Sequence, residues 1–208
     1  MKRYTALFAF LLLSSYGFGQ SNWKAFTKLS GPKKNWVIWH VFKAKKARQI
    51  SLEARRVADS IKNSPLLDRD PSGGQVDAFR HAYWMARLRQ EIGKNAARSL
   101  GKAHEKENYN DFLKRRKEEG SVPDAISSEM DLYNNEIGLS FTVKNCVCPR
   151  EGLIYKIINA IKAGKLKVIK KNKDQQFLTC NDAVIPEETL QGAWYNEKCL
   201  VPSNYRNR

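Results

Sequence analysis

The chain is short of long apolar runs, of histidine and of acid, and each shortage closes off a class of protein. Beyond the first twenty residues, no stretch approaches the roughly 20 apolar residues that a membrane helix needs, so no transmembrane segment is expected in the mature chain. Cysteine is absent before position 146, and Cys146, Cys148, Cys180 and Cys199 all lie in the last third. The serines form no recognisable nucleophile elbow and the cysteines read as structural, so covalent catalysis has no good candidate. Basic residues are not interleaved with aromatics as in a nucleic-acid stacking platform. Acid is scarce against base, with 21 Asp and Glu against 37 Lys and Arg and a formal net charge of +16. That excess is scattered, as on a solvated face, yet it disposes the protein toward anionic envelope polymers and leaves nucleic acid open as a partner.

What is present begins with a leader. Lys2 and Arg3 precede an apolar run from about Ala6 to Leu13 and the small residues Gly17 and Gly19, which is the pattern of a secretory signal over residues 1–19. A periplasmic or secreted location follows, and the lack of a nearby cysteine gives no basis for a lipid anchor. In an oxidising compartment the cysteines should pair. Joining Cys146 to Cys148 would close a very tight loop, so each is expected to reach Cys180 or Cys199. The rival is a four-thiolate zinc site, against which the CVC spacing counts.

Apolar periodicity predicts a mainly α fold, a compact bundle of about five to six helices with a short irregular or β-containing, disulfide-stapled C-terminal part. Residues 20–48 read as a basic lead-in and the start of the first helix, 49–169 as the helical domain, and 170–208 as a cysteine-containing extension. One long or broken helix is expected over Trp36 to Lys62, then a loop at SPLLDRDPSGG. A second helix should run from near Gln75 to Ile92 with Gly93 as its stop, and a third from Lys94 to about Lys106. NYNDFLKRRKEEG is open between a short helix and an exposed excursion ended by Gly120. Two further helices are expected in SVPDAISSEMDLYNNEIGLSFT and EGLIYKIINAIKAG, with KLKVIK and QQFLTC extended.

Chemistry gathers in three blocks. In DAFRHAYWMA, Asp77 and His81 share a helical face at i and i+4, bordered by Arg80 and Trp84. His104 and Glu105 follow on the next helix, which can fold back as an antiparallel partner across Gly93. Asp131, Asn134, Asn135 and Gly138 form a third stripe, and two adjacent asparagines inside a helix call for a reason that hydrogen bonding into the histidine cluster would supply. In one reading Asp77, His81, His104 and Asp131 hold a divalent metal (zinc, manganese or iron). Glu105 would then take the proton from water, and Arg80 or Asn135 would steady developing charge. In the other, the same groups satisfy one another as a buried polar network. His40 lies between bulky apolar residues and is left out of the site.

The order His81, His104 with Glu105, and Asp131 is a partial analogue of the ligand order of HD phosphohydrolases, with Glu105 where that family has Asp. A closer likeness covers roughly Gln49 to Ile169. DAFRHAYWMA, AHE and MDLYNNEIG resemble the signature blocks of a family of bacterial helical domains known as domain of unknown function 6973, DAFRHAYWNA, AHE and MDLHNN followed by a glycine. Met85 and Tyr133 depart from it, standing where Asn and His are usual; a histidine at 133 would favour metal binding. The resemblance implies a helical fold and a site, and no activity. Two functions therefore stand: an exported metal-dependent hydrolase acting on an envelope or extracellular substrate, or a non-catalytic envelope-binding protein whose cluster is structural.

Overall fold

The acids of SPLLDRDPSGG fold that loop onto the helix it precedes. Asp68 accepts the Asp70 N–H at 2.9 Å with one carboxylate oxygen and the Gln75 N–H at 2.7 Å with the other, while Asp70 accepts the Ser72 N–H at 3.0 Å. Two of these three N–H groups belong to the loop and the third to the first turn of the helix, whose N–H groups lack intrahelical partners. These contacts come from a computed structural model that describes residues 23–117 and 122–205. The proposed signal at 1–19 and the proposed terminator Gly120 lie outside the described residues.

A helical segment at 23–27 comes first. It is followed by α1 (Gly31–Trp39), α2 (Val41–Lys62), α3 (Gln75–Ile92), α4 (Lys94–Leu113), α5 (Ala125–Ser140) and α6 (Arg150–Lys162), then β1 (Lys167–Ile169), the short α7 (Glu187–Leu190) and β2 (Leu200–Pro202). The strands pair antiparallel with Val168 opposite Val201. The fold is thus mostly helical with a small C-terminal sheet, as the periodicity predicts.

α3 is the central element, packed by α2, α4, α5 and α6. It is buried around nearly its whole circumference, Phe79, Tyr83, Met85 and Leu88 completely so. Its buried polar groups find partners across the bundle: Tyr83 donates to Glu53 at 2.8 Å, Arg87 Nε to the same carboxylate oxygen at 2.9 Å, and Thr142 donates to the Ala86 carbonyl at 2.7 Å.

Three expectations need correction. Residues 20–35 lack periodicity but are helical over 23–27 and from Gly31 onward. Trp36 supplies the anchor, donating from α1 to the Ala96 carbonyl at 3.2 Å and to Ser99 at 2.9 Å on α4. The long or broken helix expected over Trp36 to Lys62 is the broken one, interrupted at His40 (φ −132°, ψ 37°), whose ring stacks on Trp36 and meets its carbonyl at 2.9 Å. α4 runs past Lys106 to Leu113 because Trp194 of the tail packs against Tyr109 and Phe112, with ring centroids 4.9 and 5.1 Å away.

The cysteines pair as Cys146–Cys148 and Cys180–Cys199, not across the two groups. The chain is bent between Cys146 and Cys148, which brings their Cα atoms to 5.5 Å in the connection between α5 and α6. Cys199 instead lies beside Leu178, whose carbonyl accepts its N–H at 3.2 Å. With all four sulfurs in disulfides, no thiolate is left for zinc.

Candidate functional site

The site forms where α3 and α5 cross. Gly138 makes the crossing possible: a Cβ there would stand 2.4 Å from the Ala82 carbonyl oxygen and 2.7 Å from its Cα. The close approach sets Asn135 and Asp131, one and two turns earlier on α5, against His81 of α3.

Asp77 divides its carboxylate between two tasks. Oδ2 accepts the Gly73 N–H at 2.8 Å and so closes the helix N-terminus. Oδ1 faces the cluster, 2.6 Å from Arg80 Nη2 and 3.6 Å from His81 Nε2. Asp131 Oδ1 lies 3.3 Å from the same His81 nitrogen. Arg80 Nη2 is 3.1 Å from it and can only donate; with Nε2 accepting that hydrogen bond, the ring proton is assigned to Nδ1. That proton is donated to Asn135 Oδ1 at 3.2 Å. Burial, then the adjacent Arg80 guanidinium, pushes His81 down from 6.5 to about 3, so the ring is neutral at neutral pH. For Asp77, burial acts to raise the carboxyl but is outweighed by Arg80 and the Gly73 N–H, which hold it below its ordinary value.

One ligand atom each from Asp77, His81 and Asp131 falls within 4.8 Å of the other two, a spacing that suits a shared cation. His104 is brought to the same place but not into that group. Its ring lies 6.1 Å from that of His81 and edge-on to Trp84 at 5.6 Å, and its Nδ1 is 3.5 Å from Glu107. Burial acts to raise Glu107, but His104 and Lys33 hold it down to about 2. Glu105 accepts from Asn108 of its own helix at 3.2 Å.

Of the two asparagines, only Asn135 serves the cluster. Asn134 reads the backbone of β1, donating to the Lys167 carbonyl and accepting its N–H, both at 2.9 Å. Tyr133 is partly exposed beneath Lys167, off the face that carries Asp131 and Asn135. Its departure from the family pattern therefore bears little on the cluster. Met85, the other departure, fills space beside Gly101, where a Cβ would stand 2.8 Å from its Cε and 3.2 Å from Asn135 Nδ2.

Glu107 was not singled out by sequence reasoning, although its place three residues after His104 puts it on the histidine's face, which Glu105 at i+1 does not share. The site also opens on a cavity of about 700 Å³ that no local pattern announces, with Arg80, His81, His104 and Trp84 at one end and α1, α2 and residues 23–29 around the rest. Its size lies within the range of small-molecule sites, roughly 300–1,000 Å³.

These features define a helical protein with a buried histidine, aspartate and asparagine cluster at the end of an apolar cavity. The chain belongs to the domain of unknown function family DUF6973, whose model matches residues 34–165, more than half of its length. No curated protein and no solved structure matches it.

Proposed function

We propose that Asp77, His81 and Asp131 hold a divalent cation (zinc, manganese or iron) in a hydrolytic centre that acts on an envelope or extracellular substrate, the site lying within a helical domain over 49–169. The observation that carries this reading is the convergence of the three ligand atoms on a neutral imidazole whose other nitrogen is fixed by Asn135, the usual support of a metal-bound histidine. When bound, the cation supplies a polarised water at neutral pH. His104, on the cavity wall and oriented by Glu107, would take the proton from that water, a role the sequence alone suggests for Glu105. Arg80 lines the cavity and would turn from Asp77 toward an anionic group of the substrate. Two disulfides and the lack, among the described residues, of a helix able to cross a membrane are compatible with an extracellular location. Export itself is inferred from the leader.

The test is elemental analysis of protein purified without chelator, with melting curves in EDTA. Near-stoichiometric metal and a lower melting temperature in EDTA are expected. Asn135→Ala should weaken metal binding by about 10–100-fold. Asn134→Ala should lower stability by about 1–3 kcal/mol at each orphaned backbone group and leave the metal content alone. One observation favours a second reading: Arg80 Nη2 already bridges Asp77 and His81, as it would in a network that only fixes the packing. Protein without metal that melts alike with and without EDTA would overturn the first reading in favour of the second.

A further inference from the structure

We propose that the cavity receives the apolar chain of an anionic lipid drawn from a bilayer, and that the corner between α1 and α2 is the surface that docks on that bilayer. As the identity of the substrate this rests on the hydrolytic reading above; as a binding site it rests on the cavity alone.

Three observations carry it. First, the walls are apolar over most of their extent, with Trp36, Val37, Ala47, Ala54 and Leu100 leading to the polar end at Arg80, His81 and His104. An amphiphile has that same division. Second, every charged side chain among the described lining residues is a cation, Lys33, Lys45, Arg48, Arg55 and Arg80, of which Lys33 pairs with Glu107 and Arg80 with Asp77 behind the lining. Such a lining selects a ligand with an anionic group.

Third, the cavity wall continues outward into an exposed apolar corner. Ile38 and Val41 line the cavity and are also more than half exposed, and beside them Trp39 is 78% and Phe42 99% exposed. Large apolar side chains left in water together mark an interaction surface. Lys43, Lys45, Lys46 and Arg48 follow, all exposed. Aromatic and aliphatic side chains at a helix corner, edged by long cationic ones, match the water–bilayer boundary, where rings sit at headgroup level and lysines reach phosphate. A lipid drawn from the bilayer at this corner would lie with its head at Arg80, His81 and His104 and its chain along the apolar wall that leads back to the corner.

The test uses the purified protein in EDTA, so that lipid capture is scored apart from any metal. Flotation with phosphatidylglycerol or phosphatidylcholine vesicles measures docking, and native mass spectrometry of the recovered protein measures retained lipid. The protein should float with phosphatidylglycerol, much less with phosphatidylcholine, and keep one lipid per chain. Replacing both rings at the corner (Trp39→Ser with Phe42→Ser) should cut flotation by about tenfold. Ala44→Trp, which adds bulk within the cavity, should float as the parent does and retain no lipid.

Loss of capture on vesicles that still bind would place the lipid in the cavity. Failure of the parent protein to retain lipid would overturn the proposal, as would equal flotation on the two vesicles. So would undiminished retention by Ala44→Trp, or a dimer in light scattering that does not float. A metal-free protein that captures lipid would leave this inference standing and remove the hydrolytic reading.

Discussion

At the scale of single residues, His81 sets the acid limit of the fold. Its folded-state pKa is depressed from 6.5 to about 3, chiefly by burial and by Arg80, while the unfolded chain takes up its proton near the ordinary value. The stability this contributes is present above about pH 6.5 and is lost as pH falls through that window. The slope is at most about 1.4 kcal/mol per pH unit. Glu107 adds its own loss only from 4.5 down toward about 2, so the loss specific to His81 begins at higher pH. Chemical unfolding at pH 7, 6 and 5 should therefore show stability falling with pH in the parent protein, and a clearly shallower fall in His81→Gln. Equal slopes in the two proteins would refute the assignment. The spacing of DAFRHAYW made it legible that Asp77 and His81 share a face, because helical geometry fixes i and i+4. It could not reveal that Asp77 spends one oxygen on Gly73, or that Asn134 and Asn135 part company, because the rotation of α5 against its neighbours is set by packing.

At the scale of elements, two glycines look alike in sequence and differ in what surrounds them. A side chain on Gly138 meets the backbone of Ala82, which cannot yield without moving α3 away from α5. On Gly101 it meets the thioether end of Met85 and the amide of Asn135, the first of which can swing aside. Gly138→Ala should thus lower stability by about 1–3 kcal/mol, the range of overpacked cores. It should also weaken metal binding, because the crossing that brings Asp131 to His81 is forced apart. Gly101→Ala should be milder on both counts, partly because alanine favours the helix by roughly 0.5–1 kcal/mol. Urea unfolding and metal titration of the two variants check the ranking, and an equal loss would show that the crossing is not limiting. Helices whose own periodicity and end signals agree, α3 with Gly93 above all, were readable from sequence. α1 and the second half of α4 were not, since their stability comes from Trp36 on Ala96 and Ser99 and from Trp194 on Tyr109 and Phe112, contacts 60 to 85 residues apart in the chain.

At the scale of the whole molecule, the C-terminal tail is fastened to the helices at several points. β2 pairs with β1, Ser203 donates to the Ile161 carbonyl at 2.8 Å, and Lys198 pairs with Asp124, which caps α5 by accepting the Ser127 N–H at 2.8 Å. The Cys180–Cys199 disulfide closes a long loop within this region, whereas Cys146–Cys148 spans a sequence separation of only 2. If a crosslink acts by restricting the unfolded chain, its effect grows with the loop it closes. A separation of 19 corresponds to about 3 kcal/mol, and the very short loop to distinctly less. Sequence spacing supported the opposite pairing because it weighed the tightness of the small ring without knowing where the tail returns. Unfolding by urea should then rank the paired serine variants. Cys180→Ser with Cys199→Ser should lose about 3 kcal/mol yet retain helical circular dichroism, since the ion pair, the strand pairing and the Ser203 contact still hold the tail. Cys146→Ser with Cys148→Ser should lose less. A larger loss from the short ring than from the long one would mean that the restriction acts in the folded loop between α5 and α6, and that the tail is secured by its noncovalent contacts alone.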